Sequence, residues 1–184
     1  DQVFNAVQDI AELKKYDFIF DKSSDLTMLF SAKRHDISDQ VVRSITRAER
    51  REQLSKKDLK EAVKNLVLNE GKVLKDLSLV FTDDDYLLEV NKQYLNHDYF
   101  TDVITFDYSS FPEVSGDVMI SLDRVKDNAQ SLNQSFELEF YRVVFHGVLH
   151  LCGYKDKSEA DVKEMRARED FYINRFVSRE TIEN

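Results

Sequence analysis

Phe136-Glu-Leu-Glu-Phe-Tyr-Arg-Val-Val-Phe-His146-Gly-Val-Leu-His150-Leu-Cys-Gly153-Tyr-Lys-Asp156 is the stretch on which the reading of this chain turns. Its apolar residues, Val143, Val144, Phe145, Val148, Leu149 and Leu151, predict a strongly apolar helix over about 136–152, and Gly153 ends it. His146 and His150 are four apart on that helix, so their rings project from one face a turn apart and can close on a single ion. The plainer alternative is a pair of surface or core histidines. Three features favour a metal. An apolar helix leaves a charge-bearing group in need of a partner. Gly153 lets the chain turn back and bring Asp156 to the open side as a third ligand. Gly147, which costs a helix on the order of 1 kcal/mol, lets another backbone or a substrate approach closely.

The glutamate of an HExxH motif is missing, since Gly147 stands in its place, which disfavours a peptidase of that type. Three protein ligands leave a fourth position open. Water held there by zinc has a pKa of roughly 7 and is a usable nucleophile.

Outward from this helix, Ser158 with Asp161 caps a final amphipathic helix whose stripe is expected to be Met165, Phe171, Ile173 and Phe176. Upstream, Asp123 is expected to cap a helix running through Ala129 to Leu132. Residues 77–81, 103–106 and 118–122 read as strands rich in apolar and β-branched side chains. Residues 109–113 form a loop with the only proline. Asp83, Asp84 and Asp85 suit a helix start, with Tyr86, Leu87, Val90 and Tyr94 as the buried face. Ser55 and Asp58 open a helix with the stripe Leu59, Val63, Leu66 and Val67, stopped by Gly71. Earlier still, a short helix is predicted over 3–15, a hairpin from 17–22 and 26–30 about a turn at 23–25, and a helix starting at Ser38. The elements lack a regular βαβ alternation. An α+β class follows: a small mixed β-sheet packed with several helices, the metal site on a helix in the C-terminal half.

The formal charge of −9 argues against gripping nucleic acid by bulk electrostatics, and any such contact must be local. No run of residues is apolar enough for a membrane span, and a lone cysteine, Cys152, fits a reducing compartment. A cytoplasmic protein without a membrane or DNA partner is expected.

The residues from His146 to Tyr154 follow, position for position, the HGxLHLxGxDH motif of the YbeY family of metal-dependent endoribonucleases, which this segment resembles. Thr101-Asp-Val103 with Phe106 is similar to the family's TDVLSF segment, Gly116-Asp-Val118 to its GD(I/V) strand, and Met165 and Glu169 to a methionine and glutamate of its last helix. The resemblance covers about residues 55–178 and implies 16S rRNA maturation and ribosome quality control, with rRNA or a ribosomal subunit as partner. It implies one divalent ion, zinc by expectation, on His146, His150 and Asp156. The third histidine of the motif is Asp156 here, a harder ligand that leaves the choice of metal open, and this variant resembles Bacteroidetes members. An arginine found before the TDV segment in many members is Leu95 here, which leaves Lys92 and Lys155 as the expected substrate-binding cations.

Asp102 is a candidate catalytic residue, either orienting a histidine ring or capping a turn; Asp117 carries the same two readings. His97 is expected in a loop, near substrate or simply solvated, and nothing marks His35 as a ligand. Cys152 reads as a small buried hydrophobe rather than a nucleophile. Residues 1–54 are expected to be separate from the hydrolase domain at 55–184. They resemble the C-terminal hairpin and helix of a Skp (OmpH-like) chaperone, whose long arms are missing, and are otherwise a family-specific extension.

Overall fold

The computed structural model describes residues 16–21, 26–33 and 56–176. The helices expected at 3–15 and from Ser38, the Ser55 cap and His35 fall outside the described residues. Strands β1 (Tyr16–Asp21) and β2 (Leu26–Lys33) pair antiparallel, as the hairpin reading requires. Strand β3 (Val73–Thr82) pairs parallel to β2 and to β5 (Glu113–Ser121), and β4 (Val103–Asp107) pairs antiparallel to β5. The result is a mixed sheet in the order β1-β2-β3-β5-β4. Both β3 and β5 are longer than the apolar runs that announced them. Their extra residues mix apolar side chains, such as Val114, with polar ones, such as Lys75 and Glu113, which are ion-paired at 2.5 Å.

Among the described residues the helices are α1 (Lys56–Asn69), α2 (Asp84–Leu95), α3 (Leu122–Ser131), α4 (Phe136–Leu151) and α5 (Glu159–Phe176). Sheet residues alternate between two cores, as the two-residue period of a strand demands. Leu77, Leu79, Phe81, Val114, Val118 and Ile120 face α1, α3, α4 and α5, while Val80, Ile104, Met119 and Phe106 face α2. The α+β expectation holds.

Three local expectations change. The cap of α3 is Ser121, whose hydroxyl accepts from the Arg124 N–H, and Leu122 begins the helix instead of ending a strand. Tyr94 is 36% exposed and only edges the α2 core, with its ring T-stacked on Phe106. Phe171 is 46% exposed; the inward stripe of α5 is Met165, Glu169, Tyr172 and Ile173, so a carboxylate takes the place assigned to a phenyl ring.

Candidate metal centre

Helix α4 starts at the Ser135 cap, whose hydroxyl accepts from the Leu138 N–H, and lies on the sheet through Val144, Gly147, Val148 and Leu151. Gly147 explains how closely. A Cβ there would come within 2.5 Å of Val118 Cγ1 and 3.3 Å of Val103 Cγ2. The glycine seats the helix against side chains of β4 and β5, in place of the expected backbone or substrate. This packing turns His146 and His150 toward the flank of the helix, where both are partly buried.

The end of α4 is built by hydrogen bonds from Gly153 N to His150 O at 2.9 Å and from Tyr154 N to Leu149 O at 3.1 Å. This is the Schellman pattern, with Gly153 at φ +98° where a side chain would be strained. The chain reverses, and Asp156 arrives beside the histidines. His146 Nε2 is 2.9 Å from His150 Nε2, and Asp156 Oδ2 is 3.8 Å and 3.5 Å from them respectively. All three ligand atoms lie within 4.8 Å of one another.

The hydrogen bonds of the rings decide what those atoms can do. Nδ1 of His146 donates to Glu169 Oε1 at 2.8 Å, and Nδ1 of His150 donates to the Tyr154 carbonyl at 3.0 Å. A neutral imidazole that donates from Nδ1 carries its lone pair on Nε2. Two lone pairs and a carboxylate oxygen thus converge on one point, an arrangement that repels itself unless a cation sits between. A tetrahedral ion with ligands at about 2.1 Å holds its ligand atoms roughly 3.4 Å apart. The observed separations bracket that value, so the donor set fits a metal ion.

Glu169 is the residue whose role the sequence did not reveal beyond a motif match. Its side chain is 3% exposed and also accepts from Arg142 at 3.0 Å and Arg166 at 2.8 Å. Burial pushes its pKa up, but the hydrogen bonds from His146 and Arg142, with the charge of Arg166, outweigh this and hold it below the usual range. The available signal was a glutamate at the inward spacing between Met165 and Tyr172. Asp102 does not take this part. Its carboxylate accepts from Asn128 Nδ2 at 3.1 Å and its carbonyl from Ser121 N at 2.9 Å, tying β4 to β5 and α3, while both histidine Nδ1 atoms are engaged elsewhere.

Lys92 belongs to α2, on the face of the sheet opposite α4, and pairs with Asp98 at 2.8 Å, a contact that raises its pKa. Lys155 is exposed next to Asp156. His97 is exposed and stacks on Tyr99. Asp117 is partly buried on the α2 side, where burial raises its pKa against hydrogen bonds from Ser78 and Tyr108. Cys152 is buried, and burial pushes its thiol up to about 12, as expected of an inert residue.

The model of the family described as Endoribonuclease YbeY matches residues 37–177. Endoribonuclease YbeY of Flavobacterium psychrophilum is 52% identical over 114 residues, which are 62% of this chain and 81% of that protein. Its counterpart in Phocaeicola vulgatus is 44% identical over 117 residues, 64% of this chain and 85% of the relative. The solution structure of TM1509 from Thermotoga maritima matches with a TM-score of 0.50 at 31% identity, covering 64% of this chain and 78% of the other. With the motif helix, the convergent ligand atoms and a family match over most of its length, this chain belongs to the Endoribonuclease YbeY family.

Proposed function

We propose that this chain is a metal-dependent endoribonuclease acting in rRNA maturation, with zinc on His146, His150 and Asp156 and the ribosomal subunit as the setting of its substrate. The observation that carries this reading is the convergence of two imidazole lone pairs and one carboxylate oxygen on one point, in a chain of the endoribonuclease family. Bound there, the ion would supply Lewis acidity and a water acidic enough to be deprotonated near neutral pH.

The chain's own residues do the rest. Glu169 and the Tyr154 carbonyl hold the two rings in the tautomer that points Nε2 inward. Asp156, with 45% of its side chain exposed, stands at the open side where a phosphodiester can enter. No helix-borne general base stands between the histidines, because Gly147 faces the sheet. Lys155, with Lys157, Lys163 and Arg166 of the groove along α5, offers cations to RNA phosphates on the side of the metal centre. Lys92, across the sheet, is the weaker substrate-binding candidate. Asp102 acts on the site by fixing the start of β4.

No described helix is long and apolar enough to cross a membrane. A cytoplasmic location is proposed with the rRNA substrate. We further propose that the hydrolase domain spans 55–184, and that 1–54 is an extension or fused fragment of Skp-like character whose hairpin adds two strands to the sheet.

The test is cleavage of rRNA precursors by the purified protein, before and after chelation and with zinc restored. Activity that needs the ion and disappears in His150→Ala is expected. Cleavage indifferent to both would end the reading.

A further inference from the structure

Outside the ligand set and Glu169, a second buried polar cluster near the site surrounds Glu70. This residue follows the last turn of α1, at a helix end whose bonds from Gly71 N to Leu68 O at 3.0 Å and Lys72 N to Val67 O at 3.1 Å repeat the Schellman pattern of α4. A carboxylate is electrostatically misplaced there, because the C-terminal end of a helix carries partial negative charge. Glu70 is nevertheless drawn in until its side chain is 8% exposed. Its oxygens are taken by two hydroxyls: Tyr154 donates to Oε2 at 2.8 Å and Tyr172 to Oε1 at 2.5 Å. Arg168 stands 3.7 Å away and covers the Tyr154 ring at 5.7 Å. A group at the wrong end of a helix, buried and satisfied by partners 84 and 102 residues away, has a task beyond the stability of its own helix.

Tyr154 shows what that task is. Its hydroxyl is held by Glu70 while its carbonyl accepts from His150 Nδ1. It is also the residue after Gly153 at the reversal of α4, two positions before Asp156. An aspartate reaches less far from the backbone than a histidine, so a carboxylate ligand requires its loop to be held closer to the other ligands. We propose that Glu70 is a positioning residue for the metal centre: by anchoring Tyr154 it fixes both the ring of His150 and the loop that delivers Asp156. The inference rests on the metal reading of the site. It assigns a function to a residue outside the ligand motif, and to a motif position, Tyr154, whose hydroxyl bonds Glu70 rather than any of the three ligand residues.

Tyr172 provides the control. It makes an equivalent bond to Glu70 but belongs to α5, and it carries no ligand on its own turn. Zinc affinity of the full-length protein is measured by competition with a chromophoric chelator for wild type, Tyr154→Phe, Tyr172→Phe and Glu70→Gln. Removing an outer partner of a ligating histidine weakens metal binding about 10–100-fold. Tyr154→Phe keeps the carbonyl partner and releases only its anchor, so a loss of about 10-fold, at the low end of that range, is expected, against less than about 3-fold for Tyr172→Phe, although each removes one hydroxyl from the same carboxylate. Glu70→Gln, which keeps one acceptor oxygen, falls between them.

A second readout is the nitrogen-15 spectrum of the metal-free protein. His150 is expected as the Nδ1–H tautomer in wild type and Tyr172→Phe, and as a tautomer mixture in Tyr154→Phe. Equal zinc affinity of wild type and Tyr154→Phe, or equal losses in the two tyrosine variants, overturns the proposal. If Tyr154→Phe does not fold, wild-type affinity in Glu70→Gln with an unshifted tautomer overturns it as well. A wild type that takes up no zinc sinks the metal reading itself, which is a different result from a wild type that binds zinc while Tyr154→Phe binds it equally well.

Discussion

The two faces of the sheet are built from the same strands and behave differently. On one, among the described residues, α2 alone covers Val80, Ile104 and Met119 with Tyr86, Leu87 and Val90, a core of ordinary apolar packing. On the other, four helices share a larger core, and two glycines let them approach closely. At Gly116 a Cβ would come within 2.9 Å of Leu151 Cδ2 on α4, and at Gly147 one would meet Val118 Cγ1 of β5 at 2.5 Å. Two polar clusters, Glu169 with Arg142 and Glu70 with Tyr154 and Tyr172, belong to this second side and reach His146 and His150, the proposed metal ligands. The α2 face lends stability; the α4 face lends geometry as well, because moving α4 moves the two proposed ligands, His146 and His150, together.

The strongest test of this contrast is removal of a ligand. His146→Ala or His150→Ala is expected to weaken zinc binding by more than about 100-fold, beyond the loss for an outer partner, and to remove RNA cleavage while circular dichroism stays native. Loss of the fold in both would mean that the metal is structural and that the α4 face differs from the α2 face only in its glue.

Leu87→Ala on the other face empties a fully buried position. Denaturant unfolding should show a loss of about 2–5 kcal/mol, with zinc affinity per folded molecule unchanged. A parallel loss of affinity would show that the sheet transmits strain between its faces.

Gly147→Ala brings the contrast to one atom. Overpacking against Val118 and Val103 costs about 1–3 kcal/mol, partly offset by the roughly 1 kcal/mol that alanine gains in a helix. Unlike Leu87→Ala, it should lower stability and zinc affinity together, read by the same two titrations.

The smallest effect concerns pH. Burial, with a contribution from Asp76, raises the pKa of Asp117. An acid whose pKa is higher in the folded state favours unfolding as pH rises through the interval between its unfolded and folded values, since the unfolded state ionises first. Asp117→Asn should therefore be more stable than wild type at neutral pH, with the difference closing as pH falls below the ordinary aspartate range. A difference that grows toward low pH would reverse the assignment.

Several of these features were open to inspection in the linear chain. The apolar stripe around His146 and His150, the Gly153 stop and the Ser158–Asp161 cap depend on neighbours within a few residues, and helix geometry converts such spacings into faces directly. Asp156 could be named for the same reason, being one reversal away. The stripe of α5 was misread because Phe171 is as apolar as any core residue; only packing against α4 showed that the inward position belongs to Glu169. Asp102 was a reasonable ring partner by chemistry, and nothing local disclosed that Asn128 would claim it.

By itself, then, the sequence determined the helix, its two histidines, the turn that follows and the family to which these belong, because each is a matter of short-range spacing. The tertiary structure alone decided which groups orient those histidines. Glu169 lies 23 residues from His146, and Glu70 lies 84 from the tyrosine whose carbonyl holds His150; separations of that kind close only when helices pack. The same packing decided that Gly147 serves the sheet rather than the substrate, since a missing side chain shows its purpose only when the neighbour that fills the space is in place.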